Sequence, residues 1–183
     1  MKSMISMAAV LFAALMATTV LTSCDSSDDE PAKAKFTKAV VKYTVTSNDA
    51  TLGQFKVNVY GTDADGNGFI ETMSNPSYTK VVEIPLSKLP CKVELYTRVS
   101  PLEDKITTEM FNFNVERTID VMTLNSDNTV VENKERTNPS FEDNVPAGTS
   151  LSELARSMNY HTKLVISIDV NGIITDQTQE SLL

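Results

Sequence analysis

Apolar residues recur at every second position through most of this chain, which is the period of a strand with one buried face. Ala39, Val41, Tyr43 and Val45 share one phase, with Lys42 and Thr44 in the other. Phe55, Val57 and Val59 alternate with Lys56, Asn58 and Tyr60. The clearest run is Cys91 to Val99, where Cys91, Val93, Leu95 and Val99 oppose Lys92, Glu94, Tyr96 and Arg98. Val82, Ile84 and Leu86 follow the same rule. So do Phe111, Phe113 and Val115, with Ile119 and Val121 resuming after a bend. Val130 and Val131 predict a short edge strand inside a polar stretch from Asn125 to Gly148 that otherwise reads as loop. Leu164, Ile166, Ile168 and Val170 predict a late strand. Asn171-Gly172 then predicts a tight hairpin turn, with Ile173 and Ile174 opening the return strand.

The period changes once. Ser150-Leu151-Ser152-Glu153 is a capping box, and Leu151, Leu154 and Met158 follow at helical spacing, so a short helix is expected over 151–159. Eight or nine strands and one helix predict an all-β fold, an antiparallel β-sandwich, with a lipocalin-like β-barrel as the alternative.

The first residues do not fit the alternation. Lys2 precedes an uncharged apolar run from Met4 to Leu21, the layout of a secretory signal. The run is also close to the ~20 residues of a membrane span, so an uncleaved anchor is the competing reading. It ends in Leu21-Thr22-Ser23-Cys24, which resembles the bacterial lipobox. That resemblance implies signal removal over 1–23 and acylation of Cys24, palmitate-type lipid included. An ordinary signal with a coincidental cysteine is the other alternative. Asp25 to Glu30 then supply an acidic cluster, and residues 24–35 read as a lipidated tether able to reach roughly 35 Å. Such a cluster resembles the surface-export signal of some Gram-negative lipoproteins. The expected address is the outer membrane, lipid-anchored and cell-surface exposed, with a periplasm-facing anchor as the alternative.

Residues 36–183 suffice for a single domain. Val81 to Val99, with Leu89-Pro90 between two strand patterns, resembles the immunoglobulin-like domains of small Gram-negative surface lipoproteins, as does the hairpin around Asp63 to Gly68. The resemblance covers residues 36–125.

The formal net charge is −8, and one unit more negative once Lys2 is set aside. This argues against nucleic acid and against electrostatic docking on anionic lipid, leaving the lipid anchor as the membrane contact. With Cys24 committed to lipid, Cys91 has no partner for an intrachain disulfide, and its phase predicts burial rather than exposed chemistry.

Asp63-Ala64-Asp65-Gly66-Asn67-Gly68-Phe69-Ile70-Glu71 matches the first half of an EF-hand-type loop. The candidate calcium ligands are Asp63, Asp65, Asn67, the Phe69 carbonyl and Glu71. Ser74 stands where a bidentate Glu would close the site, and the preceding segment reads as strand. A plain hairpin turn uses the same residue types, so the cofactor expectation is none, with Ca2+ as the alternative. His161 is the sole histidine, and no Gly-x-Ser-x-Gly or phosphate-cradling loop occurs. Catalysis is therefore not expected. Tyr60 and Tyr96 on polar faces are candidates for a binding patch. The sequence predicts a surface binding or adhesion module for an extracellular glycan or protein, or else an accessory subunit of an envelope complex.

Overall fold

A computed structural model describes residues 36–104, 110–159 and 163–178. Nine strands carry the fold: β1 (Phe36–Ser47), β2 (Phe55–Thr62), β3 (Gly68–Thr72), β4 (Ser77–Pro85), β5 (Cys91–Pro101), β6 (Met110–Asn125), β7 (Val130–Pro146), β8 (Leu164–Ile168) and β9 (Ile174–Asp176). Two helices interrupt them, α1 (Asp49–Gln54) and α2 (Leu151–Met158). The strands form a four-stranded sheet, β4-β1-β6-β7, and a five-stranded sheet, β3-β2-β5-β8-β9. All pairings are antiparallel. Two separate sheets with distinct edge strands replace the closed barrel that the alternation alone also allowed. No described helix is long and apolar enough to cross a membrane.

The period-two positions meet between the sheets. Ala39, Val41, Tyr43 and Val45 face Val57, Val59, Val93 and Leu95, all fully enclosed. Phe55 packs edge-on against Phe113 at 5.5 Å, and Tyr43 edge-on against Phe69 at 5.6 Å. Burying each such ring contributes about 1.5–3 kcal/mol, and the edge-on geometry adds further attraction.

Three sequence expectations change. Asn125–Gly148 is not mostly loop, because β7 runs for 17 residues along β6. Its polarity on both faces fits an edge strand whose inner side looks into the rim of the sandwich rather than its core. The second change is in β6, which has no bend between Val115 and Ile119: the inward phase runs through Arg117, which is buried. The third is the β8–β9 turn. Only Gly172 there has positive φ, and Asp169 N donates to Ile173 O, so the loop holds three residues rather than two.

Three hairpins close in this same way. In β2–β3, β6–β7 and β8–β9 the first residue is Asp63, Asn125 or Asp169, and its side-chain oxygen accepts a backbone N–H four residues on, at 2.8 Å in each case. The fourth position holds Gly66, Asn128 or Gly172 with φ between 63° and 83°. A type I turn followed by a left-handed residue matches strand twist, and Gly or Asn tolerates that region. These turns share one end of the sandwich with Phe36. Gly172 lies against the Phe36 ring, and Lys88, just after β4, pairs with Asp65 at 2.9 Å.

The expected helix is α2. The Ser150 hydroxyl accepts from Glu153 N, and Leu151, Leu154 and Ala155 are buried. Helix α1 was not anticipated. Asn48 caps it by accepting from Thr51 N at 2.7 Å.

Candidate functional site

Cys24 and His161 lie outside the described residues, as do the leader and tether.

The acidic run at 63–71 folds as the β2–β3 hairpin. Asp63 Oδ1 accepts from the backbone N–H of Asp65 and of Asn67, at 2.9 and 2.8 Å. Asp65 instead reaches Lys88. Asn67 contributes its carbonyl to Asp63 N. Phe69 turns inward, with its ring filling the space a Cβ on Gly61 would take. Glu71, two positions after Phe69, pairs with Lys80 of β4. The three carboxylates therefore go to three different partners. Among the described residues no group of three or more His, Cys, Asp or Glu side chains converges as a metal site would require.

Cys91 opens β5 and is half-buried rather than enclosed. It borders two shallow clefts, of about 360 Å³ beside Asp63–Gly66 and about 420 Å³ beside Asp169 and Ile173. Partial burial pushes its thiol pKa up, which lowers its thiolate fraction. Burial also raises the Tyr43 phenol, whose hydroxyl donates to Thr62 O at 2.8 Å inside the core. At the β3–β4 rim, burial and then the Glu71 charge raise the Tyr78 phenol.

The outer face of the five-stranded sheet brings together what the sequence scattered. Tyr60 and Tyr96 are direct cross-strand partners of β2 and β5. Their rings stack at 4.6 Å and 6°. That spacing is the distance between neighbouring strands, so the ring normals run across the strands and the rims point out of the sheet. Ile70 of β3 extends the row and is 66 % exposed. Beside the row a groove of about 520 Å³ is lined by Thr62, Gly68, Lys92 and Glu94 among others.

Charge surrounds the tyrosines. Arg98 and Lys163 each sit 5.9 Å from the Tyr96 ring centroid. Glu94 pairs with Lys163 at 2.6 Å and with Lys92 at 3.5 Å. Arg98 is steadied by donating to the Asn159 carbonyl at 3.2 Å. The Asn159 side chain binds both Val99 N and Val99 O, imitating a neighbouring strand beyond the Leu95–Leu164 pair at which β8 begins. The alternation marked Tyr60 and Tyr96 as outward. It gave no sign that the two are cross-strand neighbours, nor that Ile70, Lys163 and Asn159 join them. Only sheet register supplies that.

No family model, no curated protein and no solved structure matches the chain.

Proposed function

We propose that this chain is a lipid-anchored cell-envelope protein whose β-sandwich serves as a surface binding or adhesion module, meeting its ligand on the outer face of the five-stranded sheet. The observation that carries this reading is the Tyr60–Tyr96 stack with exposed Ile70 beside it. An aromatic and aliphatic row in the middle of an otherwise polar face is the amphipathic kind of surface that recognition favours. Neither ring reaches the core, so packing of the fold does not account for the pair.

Geometry also suits a tether. Phe36 begins β1 at the end that carries the three turns. A chain anchored through Cys24 would leave from that end, keeping the sheet face to the side of the tether and free to meet a ligand. We read the fold more finely as immunoglobulin-like. In support, β1 pairs with β4 while β2 pairs with β3 and β5, the arrangement of strands B, E, C, C′ and F in such domains.

Two measurements test the proposal. Radiolabelled palmitate should enter the wild-type chain and not Cys24→Ser, and the wild type should be shaved from intact cells by added protease. The full chain should also be retained on some member of a panel of glycans and matrix proteins, and Tyr60→Ala should lower that retention. Absence of label, or binding indifferent to Tyr60, would sink the corresponding half.

The second reading, an accessory envelope subunit, draws on β7. Among the described strands, its 17 residues leave one long edge unpaired in the sheet order, a template for strand addition. Crosslinking in whole cells through a photoreactive residue at Phe141, 64 % exposed on that strand, would trap such a partner.

A further inference from the structure

The face built around Tyr60 and Tyr96 differs in sign from the rest of the protein. The chain carries a formal net charge of −8. Yet the described outward positions of the five-stranded sheet hold four cations, Lys56, Lys92, Arg98 and Lys163, and one anion, Glu94. Glu71 and Asp176, from the two edge strands, turn away from this face to pair with Lys80 and Arg136 of the opposite sheet. All four cations are exposed, the Lys92 side chain at 54 % and that of Lys163 at 50 %. They lie along the strands rather than in a knot. Lys56 is level with Ser100, so the band from Lys92 to Lys56 spans eight residues of β5, roughly 27 Å.

We propose that this band binds a carboxylated polysaccharide, a polyuronate chain laid along the strand direction, a ligand class that rests on the reading of this face given above. Charges spread over such a distance match a polymer with one carboxylate per sugar, whereas a compact polyanion would call for a cluster. Arg98 offers the planar fork that carboxylates accept in pairs. The tyrosine faces are spent on each other, with Ile70 beside Tyr60 and Lys163 near Tyr96. What remains for a ligand is the ring rims and two phenol hydroxyls, neither hydrogen-bonded among the described residues. Hydroxyl-rich sugars can use rims and hydroxyls. Nucleobases need a free ring face, which the stacked pair does not offer.

Affinity electrophoresis of the full chain in a neutral detergent tests this, with polygalacturonate, dextran, dextran sulfate and oligothymidylate as the four probes. Polygalacturonate should retard the protein most, and raising the salt from 50 to 500 mM should weaken that binding about tenfold or more, because exposed charges are screened. Lys92→Gln with Arg98→Gln should weaken it about tenfold, the loss of ~1.4 kcal/mol. Tyr60→Phe with Tyr96→Phe, which keeps the stack and removes the hydroxyls, should weaken it severalfold. Unchanged melting temperatures would show that each variant is folded. Stronger retardation by dextran sulfate, by oligothymidylate or by neutral dextran would overturn the polyuronate assignment. If that stronger binding were still lost in Tyr60→Ala, the sheet face would stand as a binding surface for another ligand. Binding to no probe, or binding indifferent to both tyrosines, would overturn the assignment and the face together.

Discussion

Arg117 is the largest side chain fully enclosed in the sandwich. Its guanidinium donates to Thr97 Oγ1 at 2.9 Å, to Asn138 Oδ1 at 3.2 Å and to Ser140 Oγ, all neutral groups. Desolvation lowers its pKa to about 10, so it stays charged at neutral pH. It joins β5 and β7 through the interior. Arg117→Ala opens a cavity and removes those three hydrogen bonds, and should cost about 3–5 kcal/mol in urea unfolding. Arg117→Met fills the space and should cost clearly less. Equal losses would show that packing volume plays no part. Asp120 has the opposite sign and sits on the outer face of the four-stranded sheet, in one cross-strand row with Lys42 and Glu135. It is only 5 % exposed, and burial, then the Glu135 charge, raise its pKa to about 6 against the lowering effect of Lys42. An unfolded Asp titrates near 3.9. Between about pH 4 and 6 the folded chain therefore holds more protons than the unfolded one, and this group's contribution falls as pH rises through that window. Asp120→Asn should be close to neutral at pH 4.5 and stabilising by about 2 kcal/mol at pH 7.5, read as the difference between two denaturation curves. A pH-independent difference would refute the assignment.

At the scale of elements, the three matched hairpins separate backbone strain from crowding. Gly66 has φ +83° and open space where a Cβ would stand. Gly66→Ala should therefore cost about 1 kcal/mol, the left-handed penalty alone. Gly172 has φ +81°, and a Cβ there would come within 2.6 Å of the Phe36 ring. Gly172→Ala should cost distinctly more, and Phe36→Ala in the same chain should remove the excess. A double-mutant cycle on denaturant midpoints checks this. Strand β7 shows why one element escaped notice. Strand patterns are visible where one face is dry. The β7 inner positions Arg136, Asn138 and Ser140 pair with Arg117-bearing β6 at the rim, where polar groups are tolerated. It is held without an apolar stripe because β6 next to it is 16 residues long and pairs with it along most of that length, with register shifts between Phe111 and Phe113 and between Thr123 and Leu124.

For the molecule as a whole, the two open sides of the sandwich are each closed by an ion pair between sheets. Lys80 of β4 meets Glu71 of β3, and its ammonium also lies 4.1 Å from the Phe69 ring centroid. On the far side Arg136 of β7 meets Asp176 of β9 at 3.5 Å. Such partly exposed pairs are worth little each, so their part is to align rims that apolar packing has already joined. The same geometry bears on calcium. The 63–71 hairpin is held by Asp63 to backbone N–H bonds and by lysine partners for Asp65 and Glu71. Its melting midpoint should thus be the same in millimolar calcium and in chelator. A rise in calcium would mean that a bound ion stabilises the folded chain and displaces those contacts.

Sequence alone determined the all-β class, the phase of most core strands, the capped helix α2 and the outward side of Tyr60 and Tyr96. These follow from local rules, since side-chain period and cap chemistry are properties of neighbouring residues. It also marked two of the three matched turns, at Asp63–Gly68 and at Asn171-Gly172, whose Asp, Asn and Gly carry their own hydrogen bonds and φ preferences; the third, at Asn125, lay inside the stretch read as loop. Tertiary structure decided the rest. The 63–71 run reads in sequence as half a metal loop, and only the fold shows that Asp65 pairs with Lys88 and Glu71 with Lys80. Arg117 looks like a break in a strand until partners on β5 and β7 satisfy it. The cationic face with its tyrosine stack is assembled from β2, β3, β5 and the entry to β8, segments up to about a hundred residues apart in sequence. Period two fixes which side of a strand a residue faces. It cannot fix which strand lies beside it, because register and sheet order are settled only when the two layers pack.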